Sequence, residues 1–162
     1  MVRLPPFQTL IDAHGRDVHG FLIASIGAVD AVDADDCYQE TWLAALRAYP
    51  GLHDASNLRG WLFTIAHRKV IDHVRARARR PTPVHDAGEA IAAAPVTTAA
   101  DGDGDLWAAV AALPRKQRTA VALRFIADSA YAEIAAVMDT SEEAARRNVH
   151  EGLKRLRKEP PV

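Results

Sequence analysis

Residues 81–105 read PTPVHDAGEAIAAAPVTTAADGDGD, with five acids and no Lys or Arg. Prolines and glycines break any helix or strand period there, so the stretch reads as a tether with little structure of its own. On either side, over residues 5–80 and 106–158, apolar residues recur at helical spacing and no strand alternation is seen. At 162 residues the chain is long enough for one ordinary domain or two small ones, and the tether favours two. The expected fold is all-α: two small helical domains joined by a flexible acidic linker, the second a four-helix unit.

In the first block a helix from about Phe7 to Ile26 places Phe7, Leu10, Ile11, Val18, Phe21, Leu22 and Ile26 near one face. A second starts near Asp33, an N-cap candidate, and ends before Pro50-Gly51, with Tyr38, Trp42, Leu43 and Leu46 as its apolar positions. A third, capped by Ser56 or Asn57, carries Leu58, Trp61, Leu62, Ile65, Ala66, Val70 and Val74 and ends by Pro81. The second block divides into Leu106–Leu113, Arg115 to about Ala127, Tyr131–Met138, and Thr140 to about Lys158. Thr140 and Glu143 have capping-box spacing at the start of the last helix. Short helices, a tight turn and a longer helix make a helix-turn-helix pattern, with Ile134, Val137, Val149, Leu153 and Leu156 as its core.

The formal net charge of −1 hides segregation. Residues 1–40 hold seven acids against Arg3 and Arg16, whereas residues 59–80 hold seven basic residues against Asp72 alone. The last helix adds Arg146, Arg147, Lys154, Arg155, Arg157 and Lys158. One basic helix is as well explained by a solvated face as by a ligand. Two of them, one in a helix-turn-helix, favour two anion-binding surfaces whose affinity for nucleic acid falls with salt.

Enzymatic chemistry finds little support. None of the seven histidines lies in HExxH, and His67 and His73 are six apart, a poor match for one helix face. There is no phosphate-binding glycine loop and no G-x-S-x-G elbow. The single cysteine, Cys37, has no disulfide or CxxC partner and fits a reducing interior. No catalytic residue, metal or cofactor is expected. With no signal peptide visible and no apolar run near the roughly 20 residues of a membrane helix, the expected location is cytoplasmic, without membrane insertion.

Two strings carry a family resemblance. DADDCYQETWLAALRAY, followed by LRGWLFTIAHRKVIDHVRARARR, resembles region 2 of bacterial sigma factors; LPRKQRTAVALRFIADSAYAEIAAVMDTSEEAARRNVHEGLKRLRKE resembles region 4. With only those two regions and a short linker, the chain is similar to the extracytoplasmic-function (ECF) group. That resemblance implies a factor that brings core RNA polymerase to promoter DNA and does no covalent chemistry. It implies polymerase docking through the helix with the D-x-x-Q-E pattern, here Asp36, Gln39 and Glu40, with Asp35, Leu43 and Arg47 as neighbours. Asp35 and Asp36 equally suit a helix N-terminus. The next helix is expected to meet the −10 element through Trp61, Phe63 and Arg68, with Lys69, Arg75, Arg77 and Arg79 on phosphates; for Trp61 core packing is the favoured role. The −35 element falls to Arg146, Arg147, His150 and Asn148 on base edges, and to Arg115, Arg118 and Ser141 on phosphates.

Some residues depart from the family pattern. Arg68 stands where Asn is frequent, Glu143-Ala144-Ala145 where Gly-Thr-Val is frequent, and Glu151 where a basic residue is common. Glu143 and Glu151 must therefore face away from phosphates, bond to a neighbour, or read a cytosine amine. The resemblance also implies an anti-sigma partner. The linker acids are expected to lie along the polymerase, mimicking nucleic acid. A stand-alone helix-turn-helix regulator is the competing reading; it has no use for an acidic helix beside a basic, aromatic one.

Overall fold

The structure, a computed structural model, describes residues 2–26, 31–79 and 103–158, without the side chains of Ala31, 103–105 and Trp107. Among the described residues seven α-helices follow in order: α1 (Phe7–Ile26), α2 (Ala31–Ala48), α3 (Leu58–Arg79), α4 (Asp103–Ala111), α5 (Arg115–Phe125), α6 (Tyr131–Met138) and α7 (Glu142–Lys158). No strand occurs among the described residues. Most of the expected tether, up to residue 102, lies outside the described residues; its last three residues belong to α4.

Local chemistry sets the boundaries. Pro50 sits in a 3-10 turn, Tyr49–Gly51, that ends α2. Asn57 caps α3: its Oδ1 accepts the Gly60 N–H at 2.9 Å. A Cβ on Gly60 would stand 2.4 Å from Asn57 Nδ2 and would push the Asn57 side chain out of this pose. After α6, Asp139 takes a left-handed φ of 53° and the Thr140 N–H donates to the Ala135 carbonyl at 3.0 Å, a Schellman closure. Thr140 is thereby spent on ending α6. The cap of α7 is Ser141, whose Oγ accepts the Ala144 N–H at 3.1 Å, in place of the Thr140–Glu143 box expected from spacing.

α1, α2 and α3 pack on one another, and Leu10, Val18, Phe21, Leu22, Trp42, Leu62, Phe63 and Val70 are buried among them. Phe7 joins Trp42 and Tyr49 edge-on, at 5.8 and 5.2 Å between centroids, and Trp61 tilts against Tyr49 at 6.1 Å. α7 crosses α5 closely, where a Cβ on Gly152 would lie 2.7 Å from Val121 Cγ2.

The two blocks also pack together, a contact that nothing in the periodicity announces. α1 lies against α4 and α5, and α3 against α6. Ala120, Ala122, Leu123, Ala127 and Ile134 share one buried cluster with the residues of the first block. Gly20 permits the approach: a Cβ there would already be 3.2 Å from Ile126 Cγ2. Two arginines seal the edges. Arg118 on α5 donates to the Ser25 carbonyl of α1 and to the Leu113 carbonyl, each at 3.0 Å. Arg59 on α3 donates to the Ala127 carbonyl beyond α5 and meets Asp17 at 3.2 Å.

Charge-assisted bonds to partly buried carbonyls contribute about 1.5–3 kcal/mol each, so the guanidinium of Arg118 has a measurable share in this junction. Arg118→Met keeps the apolar stem and removes the donors. We expect it to lower the unfolding free energy by about 1–3 kcal/mol in urea titrations, more than Arg115→Met, whose side chain is exposed.

Candidate nucleic-acid interface

α2 buries Ala34, Cys37, Thr41, Trp42 and Ala45, which turns the opposite face to solvent. Asp35, Asp36, Gln39, Glu40, Leu43 and Arg47 are all exposed. Asp35 is occupied within the chain, 2.9 Å from His19 Nε2. The same face holds two further apolar residues: Val32, 74% exposed, and Leu46, 51% exposed. Positions 32, 36, 39, 43 and 46 repeat at alternating steps of four and three, the spacing of a seam that packs on another helix. That spacing is visible in the sequence; its exposure is not.

α3 divides the −10 candidates. Arg68, Arg75, Arg77 and Arg79 are exposed and Lys69 half-buried along the helix. Trp61 is half-buried in the aromatic cluster, in keeping with its core role. Phe63 corrects the expectation: it is 1% exposed, edge-on to Phe21 at 5.5 Å and lying under Arg59, and is a core residue here.

On α7, Arg146, Arg147 and His150 are exposed and Asn148 half-buried, all in the N-terminal half of the helix. Both arginines have acids one turn earlier: Arg146 is 2.8 Å from Glu142, and Arg147 3.7 Å from Glu143. The Glu143 carboxylate therefore has a neighbour within the chain. Glu151 lines a groove with Lys154 and Arg155 between α4 and the end of α7, among cations of its own block. Arg115 is exposed as a phosphate contact would be, and Ser141 is exposed with its Oγ engaged as a cap. Arg118 is the second correction: its two terminal nitrogens are bound to backbone carbonyls and its Nε is buried, so it buttresses the fold rather than offering itself to phosphate.

Two buried groups complete the picture. The Cys37 thiol is pushed up to about 11, first by burial and then by Glu40, Asp33 and Asp36, which leaves it protonated and unreactive at neutral pH. His67 lies on the buried side of α3, and its pKa is lowered by burial and by Arg115 across the junction of the blocks. No group of three or more His, Cys, Asp or Glu that could hold a metal occurs among the described residues, and none of their helices is long and apolar enough to cross a membrane.

Residues 10–80 match the family model for sigma-70 region 2, and residues 103–156 that for sigma-70 region 4. The chain is 30% identical to the RNA polymerase sigma factor CarQ of Myxococcus xanthus over 159 residues, covering 93% of this chain and 87% of that protein. It is 26% identical to the ECF RNA polymerase sigma factor SigX of Bacillus subtilis over 161 residues, covering 94% and 82%. In fold it resembles the sigma factor RpoE of Bartonella quintana, solved in complex with the anti-sigma factor NepR, with a TM-score of 0.77, 21% identity and 96% of each chain covered.

The His67 environment fixes the sign of a pH effect. A histidine whose folded pKa lies below 6.5 binds fewer protons folded than unfolded. Stability is therefore full above pH 6.5 and falls as the pH drops below it. Urea midpoints at pH 7.5 and 5.5 should differ for the native chain, and His67→Gln should reduce that difference.

Proposed function

The chain belongs to the ECF group of sigma-70 RNA polymerase factors, which direct promoter-specific initiation, and from that membership we propose how its helices divide the work. α2 docks on core RNA polymerase through Asp36, Gln39, Glu40, Leu43 and Arg47, extended by Val32 and Leu46. The observation that carries this is the exposed seam itself: three large apolar side chains at coiled-coil spacing on a helix whose other face is already buried. Such a seam suits a helical partner, and the acids and amide between its apolar positions set register and partner choice more than affinity.

α3 serves the −10 element. Arg68, Arg75, Arg77 and Arg79, with Lys69 among them, supply phosphate contacts and hence salt-dependent affinity without sequence information. α7 serves the −35 element in the major groove through Arg146, Arg147 and His150, with Asn148 beside them and Arg115 and Ser141 on the flanking backbone. Arginine binds guanine O6 and N7 together, a contact worth about 1–3 kcal/mol of discrimination. The chain positions polymerase and itself makes or breaks no bond. The free, buried Cys37 is at home in a reducing cytoplasm. The anti-sigma protein bound to the Bartonella factor supports a partner of the same kind here. The packed blocks would be the polymerase-free arrangement, and polymerase would hold them apart along the promoter.

The test is a titration of core RNA polymerase with fluorescently labelled chain. Leu43→Asp combined with Leu46→Asp should weaken binding at least tenfold, about 1.4 kcal/mol, with the circular dichroism spectrum and melting midpoint unchanged because both positions are exposed. Unchanged affinity would place the docking surface elsewhere.

A further inference from the structure

Tyr131 opens α6 and lies beside the first two turns of α7. The guanidinium carbons of Arg124 and Arg146 each stand over its ring, 4.7 Å from the centroid. Two cations on one ring repel each other unless each has its own counter-group, and each has one. Arg124 donates to the carbonyl of buried Ser129 at 3.1 Å, in the turn before α6. Arg146 pairs with Glu142 at 2.8 Å. The ring is half-buried and tied to the scaffold by the helix it begins, while the Arg146 side chain is 60% exposed.

From this arrangement we infer that Tyr131 is a positioning residue for sequence reading by α7: with Glu142 it holds the Arg146 guanidinium in one pose, and so sets how strictly Arg146 selects its base. The inference rests on the proposed role of Arg146. A free arginine samples many rotamers and loses that freedom on binding, with the right base and the wrong one alike. A guanidinium already held over the ring, with a carboxylate bonded to one of its nitrogens, has fewer poses left and presents its remaining N–H groups in a narrower range of directions. It fits the bidentate geometry of guanine and misfits other bases. Stacking of this kind changes an equilibrium about two- to fivefold at exposed sites. Glu142 is thereby given a role that its charge alone, close to DNA phosphates, does not explain.

The experiment uses the full chain with core RNA polymerase and a duplex pool randomised across the six positions of the −35 element, sequenced before and after holoenzyme binding. Arg146→Ala should erase the preference at one position. Tyr131→Leu should lower the preference at that same position about two- to fivefold, with little added effect when combined with Arg146→Ala. Tyr131→Phe, which keeps the ring, should retain it, and Glu142→Gln should lower it without touching the core. Melting curves show whether Tyr131→Leu folds; if it does not, Glu142→Gln and Tyr131→Phe decide. Preference unchanged in Tyr131→Leu and Glu142→Gln would overturn the inference, as would a loss spread evenly over all six positions or a loss in Tyr131→Phe equal to that in Tyr131→Leu. If Arg146→Ala changes no position, the reading of Arg146 as a base contact falls and the inference with it. If only the Tyr131 and Glu142 variants are silent, the base contact stands and the positioning role alone is lost.

Discussion

Two guanidinium groups tie the halves of this chain together. Arg118 joins α5 to the end of α1 through the Ser25 carbonyl, and Arg59 joins α3 to the turn after α5 through the Ala127 carbonyl. Each satisfies a backbone acceptor near the rim of a shared apolar cluster, where water would otherwise compete. Between them the close approach of Gly20 to Ile126 lets α1 lie against the second block. Because α1 is held on one side by α5, it can support α2 and α3 on the other, and the exposed faces of α2, α3 and α7 are what remains. The outward surface of the protein follows from this inner contact.

That constraint sorts the basic residues into two kinds. Arg59 and Arg118 are structural; the pKa values of half-buried His14 and buried His67 are lowered first by burial and then by the positive charge of Arg59 and of Arg115 respectively. Arg68, Arg75, Arg79, Arg146 and Arg147 stand outside the junction and keep their side chains in solvent. A near-neutral protein can in this way hold two cationic surfaces, since the acids that balance them are concentrated in the first 40 residues and in the linker.

Much of the fold was legible. The bounds of α1 and α6 follow from apolar periodicity and, for α6, from the break at Asp128-Ser129. Asn57 and Pro50 marked their boundaries for chemical reasons that the structure bears out. The start of α7 is ambiguous by one residue in the sequence because Thr140 and Ser141 are both competent caps; the closure of α6 on the Ala135 carbonyl decides between them. The site was legible in its charges and less so in its apolar members. The exposure of Val32 and Leu46 shows only once α2 is seen to bury its other face. Phe63 and Arg118 look like ligand contacts until they are seen inside. The junction of the blocks was not legible, because it depends on complementary shape at Gly20, Ile126 and Ala127 and leaves no periodic trace.

On this reading the chain acts through polymerase rather than as a free-standing DNA binder. Run-off transcription tests it most directly, with purified core RNA polymerase and a template library randomised across the −10 and −35 elements, with and without the chain. Transcripts should come from a restricted set of templates and appear only when the chain is added. Tight binding of the chain to duplex DNA without polymerase, together with no chain-dependent transcript, would contradict it.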